Sequence, residues 1–164
     1  MKKKLLTIVA GTRPNLVKIA PLIRALQNKN FFDYRLVYTQ QHKLKSMSQI
    51  FFKDLKIPRP SKILKSSGKT QLQTFSNIVK EFEKDCIKFN PNCIIVVGDV
   101  NTTLACSIVA RKLNIFLAHV EAGLRSNDLE MPEEINRILT DSISDIFFVT
   151  EQSGIFNLIK EGQK

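Results

Sequence analysis

Five charged side chains stand out by type and position: Arg13, Lys18, Asp99, Glu121 and Glu133. Gly11-Thr12-Arg13-Pro14-Asn15 follows an apolar run and opens a helical pattern, which puts Arg13 at a helix N-terminus. Free N–H groups and the helix dipole favour an anion there, and an arginine fork matches a phosphate. Lys18 follows about one turn later and can face the same site. Asp99 follows Gly98 after the run Ile94–Val97, and Glu121 directly follows Phe116–Val120, so two acids end two separate apolar runs. A carboxylate drawn out of bulk water disfavours its own charge and can serve as a general acid or base. Each residue also has a plainer use: a capped helix start for Arg13, a helix cap for Asp99, an ion pair with Arg125 for Glu121. Glu133 stands in Met131-Pro132-Glu133-Glu134-Ile135-Asn136-Arg137, where Pro132 can start a helix and both acids suit its first turn. His119, inside an apolar run, reads as a satisfied core histidine.

The elements that must position these groups follow from the apolar pattern. Leu5–Ala10, Tyr34–Thr39, Ile94–Val97, Phe116–Val120 and Ile146–Val149 are β-branched or aromatic runs of strand length. Helices are expected over Asn15–Gln27, Lys45–Leu55, Gln71–Lys88, Thr102–Leu113, Glu133–Ser144 and Ser153–Glu161, the last capped by Gly162. In the third, Leu72, Phe75, Ile78, Val79, Phe82 and Ile87 predict one face packed on a sheet. Ile57-Pro58-Arg59-Pro60 reads as a stiff connector. Strands apolar on both sides, alternating with helices, predict an α/β fold with a doubly wound parallel sheet, Rossmann-like, in one domain over residues 1–164. Right-handed crossovers then bring every strand-to-helix loop to one sheet edge, where such folds collect their chemistry.

Composition narrows the function further. The chain has 164 residues, 43% hydrophobic and 24% charged, which excludes a disordered, collagenous or coiled-coil protein. No apolar run approaches the roughly 20 residues of a membrane helix. The net charge of +10 is polarised: residues 1–88 carry 19 basic and 5 acidic side chains, whereas residues 119–164 carry 4 and 9. Such a molecule attracts an anion at its basic part. The lysines of residues 43–88 are scattered singly and read as a solvated helix face, with no nucleic-acid motif among them. Cys86, Cys93 and Cys106 form no C-x-x-C pair and read as reduced thiols of a cytoplasmic protein, with no metal expected. MKKKLLTIVA runs straight into GTRP without a cleavage site and reads as a first strand, not a secretory leader. The first loop lacks G-x-G-x-x-G, which argues against an NAD or FAD enzyme. Ser67-Gly68-Lys69-Thr70 lacks the leading glycine of a P-loop, Ile63 standing there, and reads as a polar loop before a helix.

GTRPN-x-x-K-x-A-P at 11–21, GD-x-x-TT at 98–103, HVEAGLRS at 119–126 and MPEEINRILTD at 131–141 together resemble the non-hydrolysing UDP-N-acetylglucosamine 2-epimerase family. The resemblance implies the N-terminal of two Rossmann-like domains in a GT-B arrangement, with a nucleotide sugar in the cleft between them. It implies an isomerase of cell-surface polysaccharide biosynthesis that converts UDP-GlcNAc to UDP-ManNAc by eliminating UDP and re-adding it, without cofactor or metal. By motif position, Arg13 and Lys18 are similar to the family's substrate contacts. Asp99, Glu121 and Glu133 are similar to its acid–base carboxylates, with the one that takes the C2 proton left open.

Three departures accompany the resemblance. Asn15 stands where the family often has Glu. The stretch between Arg125 and Pro132 is short, as in epimerases of UDP-diacetamido-uronic acids. The C-terminal domain, which in the family supplies most uridine and diphosphate contacts, has no counterpart in these residues. Two readings remain open: an epimerase that needs a further half, as a separate chain or a homodimer, or a non-catalytic Rossmann-like remnant.

Overall fold

Apolar side chains on both faces of the central strands require cover on both sides, and the computed structural model shows how it is supplied. It describes residues 3–29, 31–39 and 52–163. The elements run β1 (Lys4–Ala10), α1 (Arg13–Asn28), β2 (Phe32–Tyr38), β3 (Lys62–Ile63), α2 (Gln71–Phe89), β4 (Cys93–Val97), α3 (Asn101–Lys112), β5 (Phe116–Val120), α4 (Pro132–Ile143), β6 (Ile146–Phe148) and α5 (Gln152–Lys160). The strands form one six-stranded sheet in the order β3-β2-β1-β4-β5-β6, and every pairing is parallel. The order reverses between β1 and β4. That is the switch point of a doubly wound sheet, where two loops diverge and leave a crevice. The expected fold class holds.

Alternation along β1 and β4 splits the core into two layers. Val9, Ile94 and Val96 join Ile78 and Phe82 of α2 and Ala105, Cys106 and Val109 of α3 on one face. Ile8, Ala10, Ile95 and Val97 join Leu16, Ile19 and Ile23 of α1 on the other. The helix expected over Lys45–Leu55 lies largely outside the described residues, of which 52–54 make a helical turn.

Two expectations are corrected. On α2 the packed face is Phe75, Ile78, Val79, Phe82 and Cys86, while Leu72 and Ile87 stay 80% and 68% exposed. Ile87 follows Cys86 and is turned 100° away from it around the helix. The strand β3 was not expected, because two residues carry no periodicity. Backbone bonds from Ser61 N to Leu36 O and from Leu64 N to Tyr38 O hold it beside β2. The 67–70 loop does precede a helix: Thr70 caps α2 and accepts from Gln73 N at 3.1 Å. Gly162 ends α5 with φ +80°. The three cysteines are free, Cys86 and Cys106 buried.

Candidate functional site

The loops at the switch point are knitted together by short polar side chains. Asn15 Oδ1 accepts from the N–H groups of Gly11 and Thr12, both at 3.1 Å, and its Nδ2 donates to Val97 O at 3.3 Å. Asn15 therefore closes the start of α1 and fastens β1 to the end of β4. Arg13 is exposed at the first position of that helix. Lys18 reaches across the crevice to Glu121, Nζ to Oε2 at 2.5 Å.

Glu121 has φ +74°, a left-handed conformation that costs a non-glycine residue on the order of 1–2 kcal/mol. An ion pair as exposed as Lys18–Glu121, with side chains 37% and 18% accessible, contributes only about 0–1 kcal/mol. The pair does not repay the strain, and strain held by its surroundings points to a use for the carboxylate. The floor beneath it is Gly98, at φ +70°. A Cβ there would come within 3.2 Å of Asn15 Nδ2, 3.4 Å of Glu121 Oε2 and 3.9 Å of Lys18 Nζ. Asn15, Lys18, Gly98 and Glu121 thus come from β1–α1, β4 and β5 to one place.

Asp99 turns the other way. Its carboxylate meets Arg137 Nη2 at 2.5 Å, and Arg137 Nη1 binds Glu134 at 2.8 Å. The backbone carbonyl of Asp99 accepts from Asn136 Nδ2 at 2.8 Å. Two of the plainer uses are thereby overturned. Val100, not Asp99, is the residue capping α3. Arg125 pairs not with Glu121 but with Asp141 and Glu161, at 2.8 and 2.6 Å. In both cases a partner distant in sequence outcompetes the local one. Instead of apolar pockets, both site acids meet basic side chains.

Glu133 is exposed and lines a cavity of about 470 Å³. Thr12, Thr70, Asn101 and Pro132 bring the starts of α1, α2, α3 and α4 to the same cavity, with Lys69 on its wall. Helix dipoles converging there suit an anionic ligand.

Helix α4 carries the residues that sequence reasoning missed. Its buried side is polar, carrying Glu134, Asn136, Thr140 and Asp141, while Ile135 and Leu139 face out at 44% and 45%. The signal was present as Glu134 and Arg137 at i, i+3, with Asp141 four residues further on the same face. Burial alone would raise the Glu134 carboxyl. The N–H groups of Ser126 and Asn127 and the Arg137 guanidinium outweigh it and hold the group below its ordinary value. Asp141 is likewise opposed by burial and lowered by His119, Arg125 and the Gly123 N–H. A depressed folded-state value adds stability above the unfolded value, about pH 4, and loses it as pH falls through the folded value. The urea midpoint is therefore expected to drop below about pH 4, with a shallower drop in Glu134→Gln.

His119 is fully buried, as expected of a core histidine. It is bonded on both sides, Nδ1 to Asp141 Oδ1 at 2.6 Å and Nε2 to Gly98 O at 2.8 Å. Among the described residues no helix is long and apolar enough to cross a membrane, and no group of three potential metal ligands occurs.

Comparison with known proteins places this geometry. A family model described as UDP-N-acetylglucosamine 2-epimerase matches residues 24–164. A Methanocaldococcus jannaschii UDP-N-acetylglucosamine 2-epimerase is 45% identical over 157 residues, covering 96% of this chain and 43% of its own length. A Pseudomonas aeruginosa UDP-2,3-diacetamido-2,3-dideoxy-D-glucuronate 2-epimerase is 43% identical over 97% of this chain and 45% of its own. The crystal structure of the M. jannaschii UDP-GlcNAc 2-epimerase in complex with UDP-GlcNAc and UDP superposes with a TM-score of 0.92 at 44% identity, over 98% of this chain and 44% of that one. The chain thus spans a little under half the length of these relatives. A match continuous from residue 24 to residue 164, on a superposable sheet, makes this chain a member of the UDP-N-acetylglucosamine 2-epimerase family.

Proposed function

We propose that the chain carries the acid–base half of a 2-epimerase acting on a UDP-linked N-acetylhexosamine, interconverting UDP-GlcNAc and UDP-ManNAc. The observation that carries this reading is the Lys18–Glu121 pair at the switch point, with Glu121 held in a strained backbone. In the forward direction Glu121 takes the proton from C2. The C–H electron pair becomes the C1–C2 double bond, and the C1–O bond to UDP breaks. The departing diphosphate charge falls among the starts of α1 to α4, with Arg13 and Lys18 at the same edge. Re-addition of UDP to the 2-acetamidoglucal, with the proton returned to the opposite face of C2, gives the epimer. Asp99 and Glu133 are the carboxylates assigned to that return and to the leaving group.

The names of the relatives and the ligands of the M. jannaschii structure support the substrate class. A UDP-diacetamido-uronic acid is the second reading, favoured by the P. aeruginosa relative at nearly equal identity. Because the chain spans 43% of its relatives, the reading includes a second half closing the cleft, whether another domain or another copy. The apolar side chains that α5 leaves exposed, Ile155, Phe156 and Ile159, support such a contact. The setting is the cytoplasm, where nucleotide sugars are made.

Proton NMR of the protein with each nucleotide sugar in deuterated buffer tests the reading. Deuterium at C2 and the resonances of the epimer are expected with one of the two sugars. No exchange with either sugar at high protein concentration overturns turnover by this chain without a further domain.

A further inference from the structure

Both ring nitrogens of His119 face acceptors. Nε2 lies 2.8 Å from the Gly98 carbonyl, which has no proton to give, so Nε2 carries one. Nδ1 lies 2.6 Å from Asp141 Oδ1. The other oxygen of Asp141 already accepts from the Gly123 N–H at 3.0 Å and meets Arg125 at 2.8 Å, the surroundings of a carboxylate and not of a carboxylic acid. Nδ1 must then carry a proton too.

We infer that His119 is a buried imidazolium acting as a positioning residue: its charge clamps the Gly98 carbonyl and fixes the loop bearing Asp99 against the strand end bearing Glu121. The inference rests on the reading that these two carboxylates flank the reacting sugar. Gly98 has the left-handed φ that lets its carbonyl turn toward the ring, and its N–H binds Val120 O at 3.0 Å, so β4 and β5 are joined on both sides of the clamp. The groups facing the ring come from three elements. Gly98 O belongs to the end of β4 and Asp141 to α4. Arg125, behind Asp141 in the β5–α4 connector, is anchored to Glu161 after α5 by bonds of 2.7 and 2.6 Å. The resulting chain of alternating charge, Glu161–Arg125–Asp141–His119, reaches from α5 to the switch point. A neutral imidazole would present a lone pair either to the carbonyl or to the carboxylate and lose one end of the clamp.

The sequence holds two histidines, so ring ¹⁵N spectra are simple to assign. At pH 7 both nitrogens of His119 are expected at the protonated position, and an unprotonated nitrogen overturns the inference. Asp141→Asn keeps every hydrogen bond while removing the charge. Its oxygen accepts from Gly123 and Arg125, and its amide donates to a now unprotonated Nδ1. This variant is expected to show a neutral ring, and the Gly98 amide, bonded to Val120 O, exchanging on the order of tenfold faster. Unchanged exchange beside a neutral ring overturns the positioning role. Should Asp141→Asn fail to fold, the wild-type protein at pH 7 still decides: a scalar coupling across the hydrogen bond from the His119 ring ¹⁵Nε2 to the Gly98 carbonyl carbon is expected, and its absence overturns the clamp. If instead the epimerase reading is wrong, these spectra are unaffected and wild-type C2 exchange is absent, so the two failures are distinguishable.

Discussion

Asp85→Ala is expected to lower the free energy of unfolding by about 3–5 kcal/mol, read as a lower urea midpoint at unchanged slope. Asp85 sits on α2 and accepts both arms of Arg35 from β2, Nη1 at 2.5 Å and Nη2 at 3.0 Å, with the two side chains 3% and 7% exposed. The Arg35 guanidinium also stacks 3.7 Å above the Phe89 ring. Removing the acid strands a buried cation, whose desolvation is then uncompensated. Replacing both members, Arg35→Met with Asp85→Leu, is expected to recover most of the loss, because apolar groups of similar volume need no partner. A loss below about 1 kcal/mol in Asp85→Ala would place the pair with ordinary surface pairs and contradict its burial.

Glu121→Gln is expected to cut C2 exchange by roughly 10²–10⁴-fold, the contribution of a positioned general base. The same change should move the melting temperature little, since the exposed Lys18 pair contributes at most about 1 kcal/mol. Rate and stability therefore separate at this residue, which a purely structural acid would not allow. Asp99→Asn differs: it removes the charge facing Arg137, which Glu134 also binds, so both rate and stability should fall. Exchange at the wild-type rate in both variants would clear the two carboxylates of acid–base duty.

The fold was legible because its signal is local. Runs such as Ile94–Val97 are short, β-branched and apolar at every position, as suits a strand covered on both faces, and the intervening segments repeat at helical spacing. The candidate residues were legible for a related reason: a parallel sheet delivers the residue after each strand to one edge, which singles out Asp99 and Glu121 whatever their partners. The partners were not legible. Lys18 meets Glu121 across 103 positions, and Arg137 meets Asp99 across 38, so each choice is made by tertiary packing. Local alternatives such as Glu121 with Arg125 look sound until Asp141 claims the arginine. Asn15, a departure from the family pattern in sequence, proves to be the bracket between β1 and β4. The inward-facing polar side of α4 escaped for the converse reason. A hydrophobic pattern assigns Ile135 and Leu139 to the core, and only the demand of Ser126, Asn127, Asp99 and Gly123 for partners turns the helix over.

The sheet order also sets a timetable for synthesis. Strand β1 lies between β2, which follows it directly, and β4, whose Cys93 pairs with Leu6. A ribosome that has finished β2 must add about 60 more residues before β4 is complete, roughly 3–12 s at ordinary elongation rates. For that interval one edge of β1, with Ile8 and Val9 among its side chains, has no neighbour of its own. An open apolar edge invites pairing with another nascent chain. The central place of the first strand, which brings Gly11 and Lys18 to the crevice, thus leaves the nascent chain with its middle strand paired on one side until β4 is made.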